Sequence, residues 1–284
     1  MKLRPALLFA SLFLGLLPSF TQEQPYQFIM LSDPQFGMYA ADKDFAQESA
    51  NYEFAVAAVN RMKPGFVIVL GDLVNKAGDP AQTAEFLRIS KKVSSGIPVY
   101  FVAGNHDVGN EPTPESLAAY RNRFGRDYYS FRAGPVYGIV LNSTLIHSPK
   151  NAKAEFEAQE MWLKQELEAA RKSGAPHIVI FEHHPCFLKE PLEPDQYENL
   201  PLERRKPLLE LFQKYGVRHV FAGHTHGNGT AVVGELEVTA TGPVGKPLRK
   251  DGSGIRIASV NGSNLEHRYY DFGRLPETLQ NPRK

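Results

Sequence analysis

The chain has 284 residues, enough for one large domain or two small ones around a substantial core. Hydrophobic residues make up 42% and charged residues 22%, which excludes both a disordered chain and a membrane bundle. With 32 Lys and Arg against 31 Asp and Glu the net charge is +1, so no basic excess points to nucleic acid and no charge run to a membrane surface.

Residues 1–21 read as a signal peptide. Lys2 and Arg4 precede an apolar stretch over 6–17, shorter than the roughly 20 residues a bilayer span needs. The expected localisation is therefore secreted or periplasmic, with no membrane association once the leader is cleaved. One domain is expected over 25–274, followed by a tail over 275–284. Cys186 is the single cysteine, which precludes an intramolecular disulfide and suits a small buried apolar side chain.

Strands and helices alternate from there. An apolar run at 28–31 reads as a strand buried on both faces. Phe45, Tyr52, Val56 and Val59 lie at helical spacing within 44–62, and a second strand follows at 66–70. Asp79-Pro80 supplies a cap and a first-turn proline for a helix over 80–95, before a strand at 99–103. Phe156, Trp162, Leu163 and Leu167 mark a helix over 155–172, stopped by Ser173-Gly174. A strand at 177–181, a helix over 202–215 ending at Gly216 and a strand at 217–222 complete the alternation, which predicts an α/β fold. Beyond residue 230, runs at 255–260 and 265–270 flank the turn Asn261-Gly262-Ser263-Asn264, and a second, partly antiparallel sheet is expected there.

The chemistry is carried by position. Five predicted strands run into polar clusters: Ser32-Asp33, Gly71-Asp72, Gly104-Asn105-His106-Asp107, Glu182-His183-His184 and Gly223-His224-Thr225-His226. Ligands of open α/β sheets gather beyond the carboxyl ends of the strands, so these ends would bring carboxylates, amides and imidazoles into one crevice. Such donors suit borderline divalent ions. Alone, an aspartate after a strand is by default a turn or cap residue. Five such ends in one chain point to a metal site.

In that order, Asp33-Pro34-Gln35, Gly71-Asp72, Gly104-Asn105-His106-Asp107, His183-His184-Pro185 and Gly223-His224-Thr225-His226 resemble the calcineurin-like metallophosphoesterase family. Asp33-Pro34-Gln35-Phe36-Gly37, Leu141-Asn142-Ser143 and His267-Arg268-Tyr269-Tyr270 resemble, within it, a group of small serine/threonine phosphatases with Asp-Pro-Gln in the first motif. The resemblance implies a four-layer αββα sandwich of two mixed β-sheets and two divalent ions, drawn from Mn, Fe, Zn, Ni and Mg. Asp33, Gln35, Asp72 and His226 would hold the first ion. Asp72, Asn105, His183 and His224 would hold the second, with Pro185 setting the frame that selects His183 over His184. His106 would assist hydrolysis of a phosphate monoester by a metal-activated hydroxide, with Asp107 orienting its ring.

Substrates implied are phosphate esters, phosphoserine and phosphothreonine of proteins included. A phosphodiesterase acting on small esters or cyclic nucleotides is the alternative, as is a non-catalytic phosphate-binding module. The last rests on Gln35, which stands where the family usually has histidine. Asn75 occupies the position of the tyrosine ligand of purple acid phosphatases, so that iron-tyrosinate subclass is not expected. The segments 108–128 and 186–201 follow ligand-bearing strands and are expected to wall the substrate groove.

Overall fold

The computed structural model describes residues 25–279. The expected leader, 1–21, lies outside the described residues. Two mixed sheets stack face to face. The first has the order β11-β10-β1-β2-β3 and the second β4-β5-β6-β7-β9-β8. In the first, β1 (Tyr26–Leu31), β2 (Val67–Val69) and β3 (Val99–Phe101) are parallel, and β10 (Gly254–Asn261) and β11 (Asn264–Asp271) add antiparallel strands on the β1 side. In the second, β5 (Val136–Val140), β6 (His177–Phe181), β7 (His219–Ala222) and β9 (Leu236–Ala240) are parallel, edged by antiparallel β4 (Tyr129–Ala133) and β8 (Gly229–Val233).

Why the sheets stack this way follows from the two-residue period of a strand. Phe28 and Met30 of β1 point into a core between the sheets with Ile68, Val179, Phe181 and Phe221, while Ile29 and Leu31 point outward. Stacked Phe28 and Phe66 rings, 4.6 Å apart, and the edge-on Phe181 anchor that inner layer. The outward face of the first sheet is covered by α1 (Ala46–Met62), α2 (Pro80–Ser90) and α4 (Pro114–Phe124) through Tyr52, Val56, Phe86 and Leu117. On the other outer face, α6 (Lys153–Lys172) and α7 (Leu202–Tyr215) pack Leu163, Leu167 and Phe212 against Ile178, Ile180 and Val220. The four expected layers are present.

Three expectations change. The strands after 230 do not form a sheet of their own. β8 and β9 extend the second sheet, whereas β10 and β11 cross to the first, where β10 buries both faces beside β1. The helix expected over 80–95 ends at Ser90, whose hydroxyl turns back to the Phe86 carbonyl at 2.8 Å. Segment 108–128 begins beside Asn105, whose side chain donates to Asn110 at 2.9 Å, but then enters the helix α4, whose Leu117 and Tyr120 are buried in the outer core instead of lining a groove. At the chain's end, Arg61 donates to the carbonyls of Pro276 and Glu277.

Asp79 caps α2 as the Asp-Pro pair implies, accepting the backbone N–H groups of Ala81 and Gln82 at 2.9 and 3.1 Å. Asp79→Ala is expected to cost about 1 kcal/mol of stability, read as a lower urea midpoint, without loss of activity.

Candidate metal centre

Each strand end turns sharply into the crevice. Among the described residues with positive φ that are not glycine stand Asp33 (46°), Gln35 (39°), Asp72 (50°), His224 (68°) and His226 (49°). The left-handed region costs an ordinary L-residue roughly 1–2 kcal/mol, so five such turns around one cavity are a concentrated strain. They turn the chain two to four residues past the strand ends. Asn105 enters differently, as the first residue of the short α3 (Asn105–Val108). His183 follows β6 and is held by Ser143, whose hydroxyl accepts the N–H groups of His183 and His184 at 3.0 and 2.7 Å. Asn142 beside it is buried and caps α5 (Ser143–His147), accepting the Leu145 N–H at 3.1 Å.

Five of the seven expected donors place ligand atoms within 4.8 Å of one another in sets of three. Two sets of nearby ligand atoms form, Asp33 with Asp72 and His226, and Asp72 with His183 and His224, so Asp72 belongs to both. Its Oδ1 accepts the His106 backbone N–H at 2.9 Å and its Oδ2 lies 3.2 Å from His183 Nε2. Asn105 Oδ1 lies 3.0 Å from the same nitrogen. On the other side His226 Nε2 is 3.6 Å from Asp33 Oδ1. The Asp33 carboxylate accepts the His224 backbone N–H at 3.1 Å, which ties β1 to β7 across the two sheets. The Gln35 side-chain nitrogen donates to Asn75 at 3.0 Å, and its Oε1 is buried without a hydrogen-bond partner. A buried amide oxygen left without a partner is the state expected of a metal ligand whose ion is not present.

Backbone carbonyls decide which imidazole nitrogen is available. A carbonyl only accepts, so the ring nitrogen facing it carries the proton. His183 Nδ1 faces Leu70 at 2.8 Å, His226 Nδ1 faces Lys246 at 2.6 Å and His224 Nε2 faces Tyr197 at 3.1 Å. The opposite nitrogens, Nε2, Nε2 and Nδ1, are left as donors to a metal, the usual way a protein sets ligand tautomer. His106, half-buried, likewise turns Nδ1 to the Asn75 carbonyl at 2.7 Å, which leaves Nε2 as the nitrogen without that proton.

Asp107 does not orient the His106 ring. Its carboxylate folds back to accept the N–H groups of Leu73, Val74 and Gly104 at 2.9, 3.2 and 2.9 Å, so it shapes the loop that carries Asp72. Gly104 is required there for space, since a Cβ would strike the Asp72 amide and carboxylate. His184 remains outside the donor sets, stacked 4.8 Å from His147 and 3.3 Å from the Ser143 hydroxyl. Cys186 is buried, with its thiol donating to Glu182 at 3.2 Å. Sequence reasoning missed Tyr197. Its segment, 186–201, does reach the site.

A third cluster, His219 with Glu237 and His267, lies at the far end of β7. Arg256 donates into His267 Nδ1 at 2.9 Å, so His267 Nε2 carries a proton toward Glu237 and is no ligand. That group is an Arg–His–Glu tie between the two sheets.

Oxygen and imidazole donors gathered beyond the strand ends of an αββα sandwich mark a protein built to hold metal there. The sequence matches the calcineurin-like phosphoesterase family over residues 26–228, and the chain belongs to that family. It is similar to the serine/threonine-protein phosphatase CPPED1 of Bos taurus, 37% identical over 268 residues that cover 89% of this chain and 86% of that protein. Among solved structures it is similar in fold to a purple acid phosphatase from Lupinus luteus seeds (TM-score 0.67, 15% identity, 89% of this chain and 52% of that one). A dimetal phosphatase from Danio rerio is a further neighbour (TM-score 0.61, 15% identity, 88% and 97%). The chain is thus a phosphoester hydrolase that uses divalent metal.

Charge at the centre sets a pH dependence. Burial alone would lower the pKa of His183, but the carboxylates of Asp72 and Asp33 push it up to about 9. Burial and the neighbouring His183 push His224 down to about 3, so that ring is already neutral. An ion between His183, Asp72 and Asn105 must displace the His183 proton. The affinity of that one site is therefore expected to rise about tenfold per pH unit below 9, with one proton released at neutral pH by the ion bound there. Manganese calorimetry in buffers of different ionisation enthalpy measures this, and uptake without proton release would contradict it.

Proposed function

We propose that the protein hydrolyses phosphate monoesters at a pair of divalent ions, phosphoserine and phosphothreonine of proteins among them. Asp33, Gln35, Asp72 and His226 would hold one ion, and Asp72, Asn105, His183 and His224 the other. The observation that carries this reading is the sharing of Asp72 by two donor sets, with the imidazole tautomers already fixed toward them. Two such ions supply Lewis acidity toward phosphate oxygens and lower the pKa of a bound water toward neutrality.

The chain's own groups do the rest. Asp33 and Asp72 offset only half of the four positive charges, so the centre favours an anionic ester. His106, locked by the Asn75 carbonyl, presents Nε2 to the phosphate or its leaving oxygen and as imidazolium can protonate a departing alkoxide. Segment 186–201, with Tyr197 half exposed, walls one side, and Lys246, over the Tyr39 ring at 5.8 Å, borders the other through the loop that holds His226. The protein-substrate part of the proposal rests on the similarity to CPPED1. Gln35 is a neutral, harder donor than imidazole and shifts the first site toward Mn or Mg over Zn or Ni. We further propose export, on the strength of the leader's composition.

His106→Ala tests the chemistry, because the ring is not among the proposed ligands. Both ions are expected to be retained, while turnover of an alkyl phosphate falls about 10²–10⁴-fold and that of an activated aryl phosphate much less. Equal losses on the two substrates would rule out proton donation by His106, and no loss on either would overturn its role altogether.

A further inference from the structure

We infer that Tyr197 is a positioning residue for the second metal, orienting two of its ligands at once from a loop on the far side of the sequence. This rests on the two-metal reading above. The Tyr197 hydroxyl accepts from the Asn105 side-chain Nδ2 at 3.0 Å. Asn110 Oδ1 accepts from the same nitrogen at 2.9 Å. The two amide hydrogens are thereby placed, the Tyr197 hydroxyl holding the plane of the amide and Asn110 Oδ1, which only accepts, setting which end is nitrogen, so Oδ1 faces His183 Nε2 at 3.0 Å.

The Tyr197 backbone works on the other ligand. Its carbonyl accepts His224 Nε2–H at 3.1 Å and so leaves Nδ1 as the donor, while its ring packs 4.8 Å from the His224 ring. Tyr197 is 53% exposed, so burial of its own ring is not what places it there.

The loop is built to hold that apex still. Arg205 of α7, with 0% exposure, donates to the carbonyls of Glu193, Leu200 and Cys186, pinning both ends and the middle of the segment. Glu193 accepts the N–H groups of Leu188, Lys189 and Glu190 at 2.7, 2.9 and 3.2 Å and the Asn199 side-chain amide at 2.7 Å. Asn199 Oδ1 in turn accepts Gln196 N–H at 2.9 Å, one residue before Tyr197. A buried arginine spent entirely on loop carbonyls is costly unless the loop's geometry matters.

Tyr197→Phe separates the hydroxyl from the ring and the backbone. Manganese calorimetry on metal-free full-length protein is expected to show one equivalent bound about 10–100-fold more weakly and the other unchanged, with an unaltered thermal midpoint. Turnover lost at limiting manganese should return at saturating manganese, with the KM for a phosphomonoester unmoved. Two equivalents with wild-type affinity would overturn the inference, as would a raised KM with unchanged metal binding, which would make Tyr197 a substrate contact. Wild-type protein that takes up no second ion would instead remove the two-metal reading on which it stands.

Discussion

Five non-glycine residues held at left-handed φ around one crevice are the constraint on which the rest of the structure depends. At roughly 1–2 kcal/mol each they oppose folding, and they persist only because the elements carrying them are over-determined. The over-determination is visible layer by layer. β1, β2 and β7 are fixed on their inner faces by Phe28, Ile68 and Phe221, and on their outer faces by the helices. Strands clamped on both sides leave the following residues no choice about where the chain emerges. What remains free is the direction of the turn, and backbone bonds such as Gln35 N–H to the Asp72 carbonyl at 2.8 Å settle it.

Preorganisation then extends from backbone to proton. Carbonyls of Leu70, Tyr197 and Lys246 assign the tautomers of three imidazoles, and that of Asn75 assigns the fourth. Because the acceptors are main-chain atoms, the assignment depends on the path of the chain and not on the identity of those side chains. Asp107 belongs to the same scheme. By collecting three N–H groups it fixes the loop after β2, so the Asp72 carboxylate meets both donor sets.

How much of this the sequence disclosed follows from the range of each interaction. Strands buried on both faces announce themselves through local apolar runs, and the donors sit immediately after them, so Asp33, Asp72, His183, His224 and His226 could be named in advance. Asp79 could be assigned its cap because Asp-Pro is a local signal. Partition of β8 to β11 between two sheets could not be read, since pairing such as Ile29 with Ile257 joins residues more than two hundred positions apart and leaves no mark on local periodicity. The role the resemblance implies for Asp107 does not hold, because the α3 turn sends Asp107 and His106 to different partners. Tyr197 was invisible for a plainer reason. Half of its action is through a backbone carbonyl, which every residue possesses.

The central claim is that two ions share Asp72. Anomalous diffraction from crystals of the protein grown with manganese tests it most directly. Two peaks about 3.5–4 Å apart are predicted, one against Asp33, Gln35, Asp72 and His226 and the other against Asp72, Asn105, His183 and His224. A single peak, or a peak placed at His184 or at the His219–Glu237–His267 cluster in place of either, would contradict it.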